Sequence, residues 1–421
     1  MLLPIVPLLT STFFLMAGAG LMGILLPVRG TIEGWSSYQV GLFGTGYALA
    51  FTLGCLVVPR IVRQVGHIRT FSCLSSLLAT SILLCGLLVD PIAWVAFRAL
   101  AGFALAGSYM VIESWLNERV TNETRGTIFS LYMTVTMAAM MGGQYLMPLA
   151  DPALPAPFML CAAFFALAVI PTAISSAQSP RPLTSVTLDL KSIFRNSPAA
   201  AIGVLCAGVL SSSWGNMAPV FAQKVGLSTT QTATLAVAAM AGGVAFQMPL
   251  GRLSDRLDRR SVMVIAGLVG VLAAAVAALL MPRAAAVLFA LAFVLGGIIY
   301  PAYSLAVAHA NDFAGKENFV QTSSGLLILY GFGTMIGPVY AAAMMESFGP
   351  HALFEALGSA MAVYAAYALW RTFRREAKPA SERPDFRTSP IARVNTPQTF
   401  ELDPRAAGEG EDGAKAQPAI G

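Results

Sequence analysis

Charge is what this chain has least of. Only 11% of its 421 residues are Asp, Glu, Lys or Arg, against about 25% in soluble domains. No Asp or Glu stands in the middle of any long apolar run, which disfavours a strongly cationic ligand, because a buried cation site needs a carboxylate. No G-x-x-x-x-G-K stretch occurs, so no phosphate-cradling loop is present and ATP is not the expected driving force. Histidine appears three times and cysteine five, and Cys55, Cys73, Cys85, Cys161 and Cys206 all fall inside apolar stretches without metal-ligand spacing. No metal and no cofactor are expected. The hydrophilic stretches hold no paired carboxylates, histidine cluster or nucleophile constellation, so the chain does not read as an enzyme. The net charge of +5 comes from arginines scattered through loops and tail, with no basic face interleaved with aromatics, so nucleic acid is not an expected partner.

What remains is apolar: 56% of residues are hydrophobic and the mean hydropathy is +0.70. Apolar runs recur at about 5–27, 38–58, 70–89, 91–112, 126–150, 154–175, 199–221, 230–250, 262–281, 284–308, 319–343 and 350–370. Each approaches or exceeds the roughly 20 residues that cross a bilayer as a helix. None alternates every second residue, so barrel strands are ruled out. The first run is too long for a signal-peptide core and reads as the first span. The fold class is therefore all-α integral membrane, with twelve transmembrane helices.

Thirteen Lys or Arg residues fall in the even-numbered connections between runs and three, Arg29, Lys224 and Arg283, in the odd-numbered ones. This asymmetry places both termini in the cytoplasm. The two halves of the chain also repeat. Gly102 and Gly296, Asn117-Glu118 and Asn311-Asp312, and Glu123 and Glu317 are all related by one offset of 194 residues. The expected domains are a six-helix bundle over 1–175, a cytoplasmic linker over 176–198, a second six-helix bundle over 199–372 and a disordered cytoplasmic tail over 373–421. Within the linker, 188–194 is amphipathic enough for a short surface helix.

The densest charge is in GRLSDRLDRRS, 251–261, where six of eleven residues are charged between two apolar runs. It reads as a tight loop at the cytoplasmic surface. Gly251 first, Asp255 fifth and Arg256 sixth resemble the signature loop of the major facilitator superfamily of secondary transporters. The first-half counterpart, PRIVRQVGHIR at 59–69, keeps Gly66 but has Arg63 where the second half has Asp255. Further along, Arg98 followed by Gly102 is similar to that family's fourth-helix motif, and Glu113-Ser114-Trp115-Leu116-Asn117 with Arg125-Gly126 resembles its YcaD-like branch. The resemblance covers about residues 1–372. It implies two pseudo-symmetric six-helix bundles that expose a central cavity alternately to each side.

Candidate residues follow from polarity at membrane depth, which is costly and tends to face cavities. Arg98 stands about eight residues, roughly 12 Å of helix, from the outer boundary, a strained reach for snorkelling. It is expected to face a polar cavity as counter-charge. Glu113 is expected either to bind a proton or to form an ion pair with a loop arginine. Gln144, Trp214, Asn216, Tyr300, Tyr303 and Tyr330 are the candidate cavity lining, with Trp214 and Asn216 as the expected ligand contact. Arg63, Gly66, Gly251, Asp255, Arg256, Arg259 and Asp312 are the candidate cytoplasmic gate. There Asp255 is expected to reach the start of the fifth helix near Arg125, and Arg256 and Arg259 to hold Asp312 or Glu317. The expected activity is transport of a small neutral or anionic solute, with a proton as coupling ion, by a monomer in the inner membrane. An uncoupled facilitator, or a non-transporting sensor or scaffold using the tail, stays open.

Overall fold

The computed structural model describes residues 5–121, 123–174, 190–314, 319–374 and 395–408, with five isolated residues between 376 and 386. Twelve long helices carry the chain: α1 Val6–Ile32, α2 Ser37–Val65, α3 His67–Leu87, α4 Pro91–Arg119, α5 Arg125–Gln144, α6 Ala156–Ile174, α7 Pro198–Lys224, α8 Thr229–Arg256, α9 Arg259–Leu280, α10 Ala285–Asn311, α11 Phe319–Phe348 and α12 Ala352–Thr372. No strand occurs among the described residues. Eleven of the twelve are long and apolar enough to cross a membrane. The other is α5, whose hydropathy is lowered by Thr127, Ser130, Thr134, Thr136 and Gln144. It still spans about 30 Å at helical rise. Large apolar side chains such as Leu268, Leu272 and Leu279 are exposed on α9, as a lipid-facing surface requires.

Local chemistry sets the helix ends. Ser36 with Gln39, and Ser228 with Gln231, form matching capping boxes at the starts of α2 and α8. Asp90 caps α4 and Asp258 caps α9. Gly66 has φ 85° and supplies the break between α2 and α3 that a residue with a Cβ would adopt only under strain.

The charged stretch at 251–261 is not the loop its composition suggested. Gly251–Arg256 continues α8, and the chain turns only at Leu257 and Asp258 before α9. A charged helix end projecting past the bilayer hydrates its side chains without unwinding, so charge density alone does not mark a loop. The same holds for Arg60 and Arg63, exposed on the last turns of α2.

Two helix groups repeat one pattern. In the first, α1 packs on α5, α2 on α4, and α3 on α6; in the second, α7 packs on α11, α8 on α10, and α9 on α12. Small residues let backbones touch, as membrane helix packing favours. A Cβ at Gly102 of α4 would fall 2.3 Å from the Tyr47 carbonyl oxygen of α2, and one at Gly296 of α10 would fall 1.9 Å from that of Ala239 of α8. The pair matched by sequence offset thus does the same job in both halves. The halves meet mainly through α2 against α11 and α1 against α7, and only lightly through α5 against α8.

Between the halves, a helix Leu190–Asn196 overlaps the amphipathic stretch 188–194 noted in the linker; residues 175–189 are outside the described part. The tail departs from its expected disorder at 395–408. A helix Pro397–Leu402 forms there, capped by Thr396 and started by Pro397, and it packs on α4 and α11. Its Phe400 and Leu402 are buried, which gives an otherwise polar stretch an apolar anchor.

Candidate functional site

One face of the bundle carries the arginine-rich helix ends at 60–69, 119–125 and 252–260; it is the basic face. On the opposite face the halves join directly. Thr45 donates to the Met335 carbonyl at 2.7 Å, the Ser37 amide donates to Glu346 at 3.1 Å, and Lys224 Nζ donates to Ser37 Oγ at 2.7 Å.

Among the described residues, two cavities along the seam stand out. The first, of about 80 Å³, is lined by Arg98, Tyr47, Tyr109, Gln144, Trp214, Met240 and Tyr300, among others, drawn from both halves. A single water needs only ~10–15 Å³ by this kind of measure, so several fit. Arg98 is 6% exposed and its guanidinium carbon stands 4.5 Å from the centre of the Tyr47 ring. Such a cation over an aromatic face gains about 0.5–2 kcal/mol, more as water is excluded. Gln144 Nε2 reaches Met240 Sδ at 3.5 Å across the seam, and its amide oxygen has no hydrogen-bond partner among the described residues. Among the described residues no Asp or Glu lines this cavity.

The second cavity, of about 60 Å³, lies further toward the basic face. Thr52, Cys55, Ser212, Asn216, Tyr330 and Thr334 line it, and Asn395 and Pro397 of the tail border it. Asn216 donates to the Ser212 carbonyl at 2.8 Å, and Ser211 is hydrogen-bonded to Tyr330. Trp214 and Asn216 therefore do not form one contact. Two residues apart on a helix means about 200° of rotation, and the two side chains serve different cavities. Tyr303 lines neither: it is buried with its ring 5.1 Å from that of Tyr330.

Glu113 is fully buried in α4 and borders neither cavity. The ion pair with a loop arginine that was one of its two expected roles is absent among the described residues. Instead three hydroxyls donate to its carboxylate: Tyr132 at 3.0 Å, Thr399 at 2.7 Å, and Thr396. Two of the three come from the tail, a partner the local sequence could not reveal.

At the basic face, Arg259 is 1% exposed and its Nε donates to both oxygens of Asp312, at 3.1 and 2.9 Å. Its Nη1 donates to Ser254 and, at 3.2 Å, to Asp255. Burial pushes the Asp312 carboxyl above the usual aspartate range, with Arg259 pulling the other way. For Asp258 burial also raises, but the hydrogen bonds and charge of Arg260 outweigh it and hold that carboxyl low. Asp255 does not reach α5. It accepts from the Phe386 amide at 2.8 Å, while Arg125 donates to the Glu401 carbonyl. Arg63 and Arg256 are exposed without an ion pair among the described residues, and Glu317 lies outside them. Gly251 faces the Phe386 ring, which a Cβ would approach to 2.1 Å.

Around Arg98, Tyr47 and Tyr109 are lining residues that sequence reading passed over, since a single tyrosine in an apolar run carries no periodic signal. The one hint was Gly102, whose missing side chain draws α2, and with it Tyr47, against α4.

Comparison with known proteins bears on this arrangement. A family model described as Major Facilitator Superfamily matches residues 8–246 and again 200–407. The curated protein "Uncharacterized MFS-type transporter YcaD" of Escherichia fergusonii is 25% identical over 382 residues, 90% of this chain and 98% of that one. Its counterpart in an Escherichia coli O139:H28 strain is 25% identical over 365 residues, 86% of this chain and 94% of that one. Among solved structures, a mutant of the nucleoside transporter NupG superposes with TM-score 0.76 at 12% identity, covering 86% of this chain and 98% of that one. A bacterial homologue of the human lysosomal transporter Spinster, inward-facing and unoccupied, superposes with TM-score 0.70 at 13% identity, covering 94% and 96%. At such identities these two speak to the fold alone.

Proposed function

Since the chain belongs to the major facilitator superfamily of transporters, we propose that it is a secondary active carrier that moves a small neutral or anionic solute by alternating access, driven by protons. The observation that carries the solute class is Arg98: a buried guanidinium on a cavity between the halves, beside aromatic rings and the Gln144 amide, with no carboxylate in the lining among the described residues. A cationic solute would be repelled there, whereas an anion gains a counter-charge in a medium that screens it weakly.

In this reading the halves 1–175 and 199–372 move as two bodies about the seam. The arginine excess makes the basic face cytoplasmic, in the inner membrane. Trp214, Tyr300 and Gln144 shape the first cavity around the solute, and Asn216 and Tyr330 line its route inward. Tyr303 supports Tyr330 by ring packing. Glu113 is the proton-carrying group: the Tyr132 hydroxyl, which stays beside it whatever the tail does, can donate to its carboxylate or accept from its carboxyl, and so serves either protonation state. Arg259 with Asp312 forms the fixed core of the gate, and Gly251 and Asp255 its moving contact. Arg63, Gly66 and Arg256 complete the gate at the surface.

Uptake into proteoliposomes tests this, using labelled small carboxylates and small polar neutral solutes with an imposed proton gradient, acidic on the side from which the solute enters. The gradient should accelerate uptake of at least one solute, Arg98→Ala should reduce it tenfold or more, and Glu113→Gln should abolish the acceleration. Uptake unaffected by the gradient replaces proton coupling with facilitated diffusion. Full uptake by Arg98→Ala would falsify the assigned cavity.

A further inference from the structure

The tail takes hold of both halves at the basic face. On the first half, Thr396 and Thr399 donate to Glu113, the Glu401 carbonyl accepts from Arg125, and Asn117 donates to Glu401 at 3.4 Å. On the second, Phe400 is 1% exposed with its ring 6.4 Å from that of Phe319, and the Arg405 guanidinium carbon stands 4.6 Å from the Phe319 ring centre. Earlier tail residues hold the end of α8 and the α10 terminus. The Phe386 amide donates to Asp255, its ring sits on Gly251, Arg383 donates to the Leu257 carbonyl at 2.6 Å, and Lys378 donates to that of Asp312 at 2.7 Å.

This pattern is not that of a solvated tail resting on a surface. Thr396, Thr399 and Asp403 are polar, almost fully buried and hydrogen-bonded through their side chains, and a polar group leaves water without loss only when partners are supplied. Asn395 and Pro397 border the second cavity on its basic-face side. Meanwhile the opposite face is closed by direct contact between the halves. The molecule is therefore shut on one face by its own helices and filled on the other by residues 395–408 of its tail.

We propose that residues 395–408 are a built-in plug of the cytoplasmic mouth, and that the tail inhibits the carrier by occupying it. The plug works in two ways. It blocks the route between the second cavity and the basic face. The tail also ties the halves together, holding Arg125 of the first through the Glu401 carbonyl and Asp255 of the second through the Phe386 amide, so the halves cannot complete a cycle until it withdraws. The inhibitory part rests on the transport reading above; the occupancy part does not.

Both are tested in the full-length chain with Cys55, which lines the covered cavity, as its sole cysteine. A membrane-impermeant maleimide is applied to the basic face in inside-out vesicles. Phe400→Asp, which places a charge where the anchor ring is buried, should raise the labelling rate of Cys55 tenfold or more. The isosteric pair Thr396→Val with Thr399→Val should raise it severalfold, and decides the matter if the aspartate variant fails to fold. Unchanged labelling in a folded variant overturns the plug. If labelling rises and solute uptake rises severalfold with it, the inhibitory role stands. If labelling rises and uptake falls, the tail is a positive element and that role is overturned. If labelling rises while no variant moves any solute, the plug stands and the transport reading is what fails.

Discussion

Arg98 and Gly102 both meet Tyr47, one through the ring and the other through the backbone. The guanidinium carbon lies 4.5 Å from the ring centre, and the glycine, one helical turn on, leaves room for the Tyr47 carbonyl, which a Cβ would crowd to 2.3 Å. Close approach of α2 to α4 is thus what sets an aromatic face under the buried charge. A fourth-helix arginine followed four residues later by glycine has a physical reason in this fold: the glycine positions the ring that supports the arginine.

Gly102→Val should separate α2 from α4 and remove the ring from beneath Arg98. Overpacking of this kind costs about 1–3 kcal/mol. The variant should melt at lower temperature than the parent in detergent, and Gly296→Val, at the matching contact of the second half, should do so to a similar degree. A loss confined to one of the two would contradict their equivalence.

Arg259 and Asp312 form a buried pair in which both partners depend on each other. Removing Asp312 leaves the buried Arg259 with its Nη1 contacts to Ser254 and the partly exposed Asp255, and breaking a buried pair by deleting one partner typically costs about 3–5 kcal/mol. Asp312→Ala should therefore destabilise more than the double replacement Arg259→Leu with Asp312→Leu, measured by thermal unfolding. Equal losses would show that the pair contributes no more than its surface neighbours.

Acidity offers a separate check on the same carboxyl. Burial raises Asp312 above its ordinary value of 3.8 although Arg259, Arg383 and Lys378 all draw it down. A carboxyl raised in the folded state contributes stability that is full below the unfolded pKa and is lost as pH rises through the folded one. Relative to the non-titrating Asp312→Asn, the parent should lose ground in melting temperature as pH goes from about 4 to 7. If it gains ground instead, attraction to the three cations outweighs burial.

Most of the architecture was legible in the sequence because membrane crossing imposes length and apolarity on each helix separately. Even α5, the least apolar, stood out by its neighbours. The offset between Gly102 and Gly296 marked the repeat because both sites need a backbone contact that no side chain permits. The helix ends were less legible. Gly251–Arg256 looked like a loop because charge signals contact with water, and a helix outlasting the bilayer reaches water equally well. Of the contacts expected among the candidate gate residues, the one between Arg259 and Asp312 is present, whereas Asp255 found the Phe386 amide instead of α5. The partners of Glu113 were beyond reach, since Thr396 and Thr399 lie more than 280 residues away in a stretch whose composition spoke for disorder.

The central claim is that the Arg98 cavity opens to each side of the membrane in turn. Gly23 lines that cavity, and a Cβ placed on it meets nothing within 4 Å, so Gly23→Cys in a chain stripped of its native cysteines is a probe the structure can hold. A membrane-impermeant thiol reagent should modify it from the opposite face in intact cells and from the basic face in inside-out vesicles, more slowly in the second case because the tail covers that mouth. Modification from one face only, with the Phe400→Asp tail substitution included, would contradict alternating access.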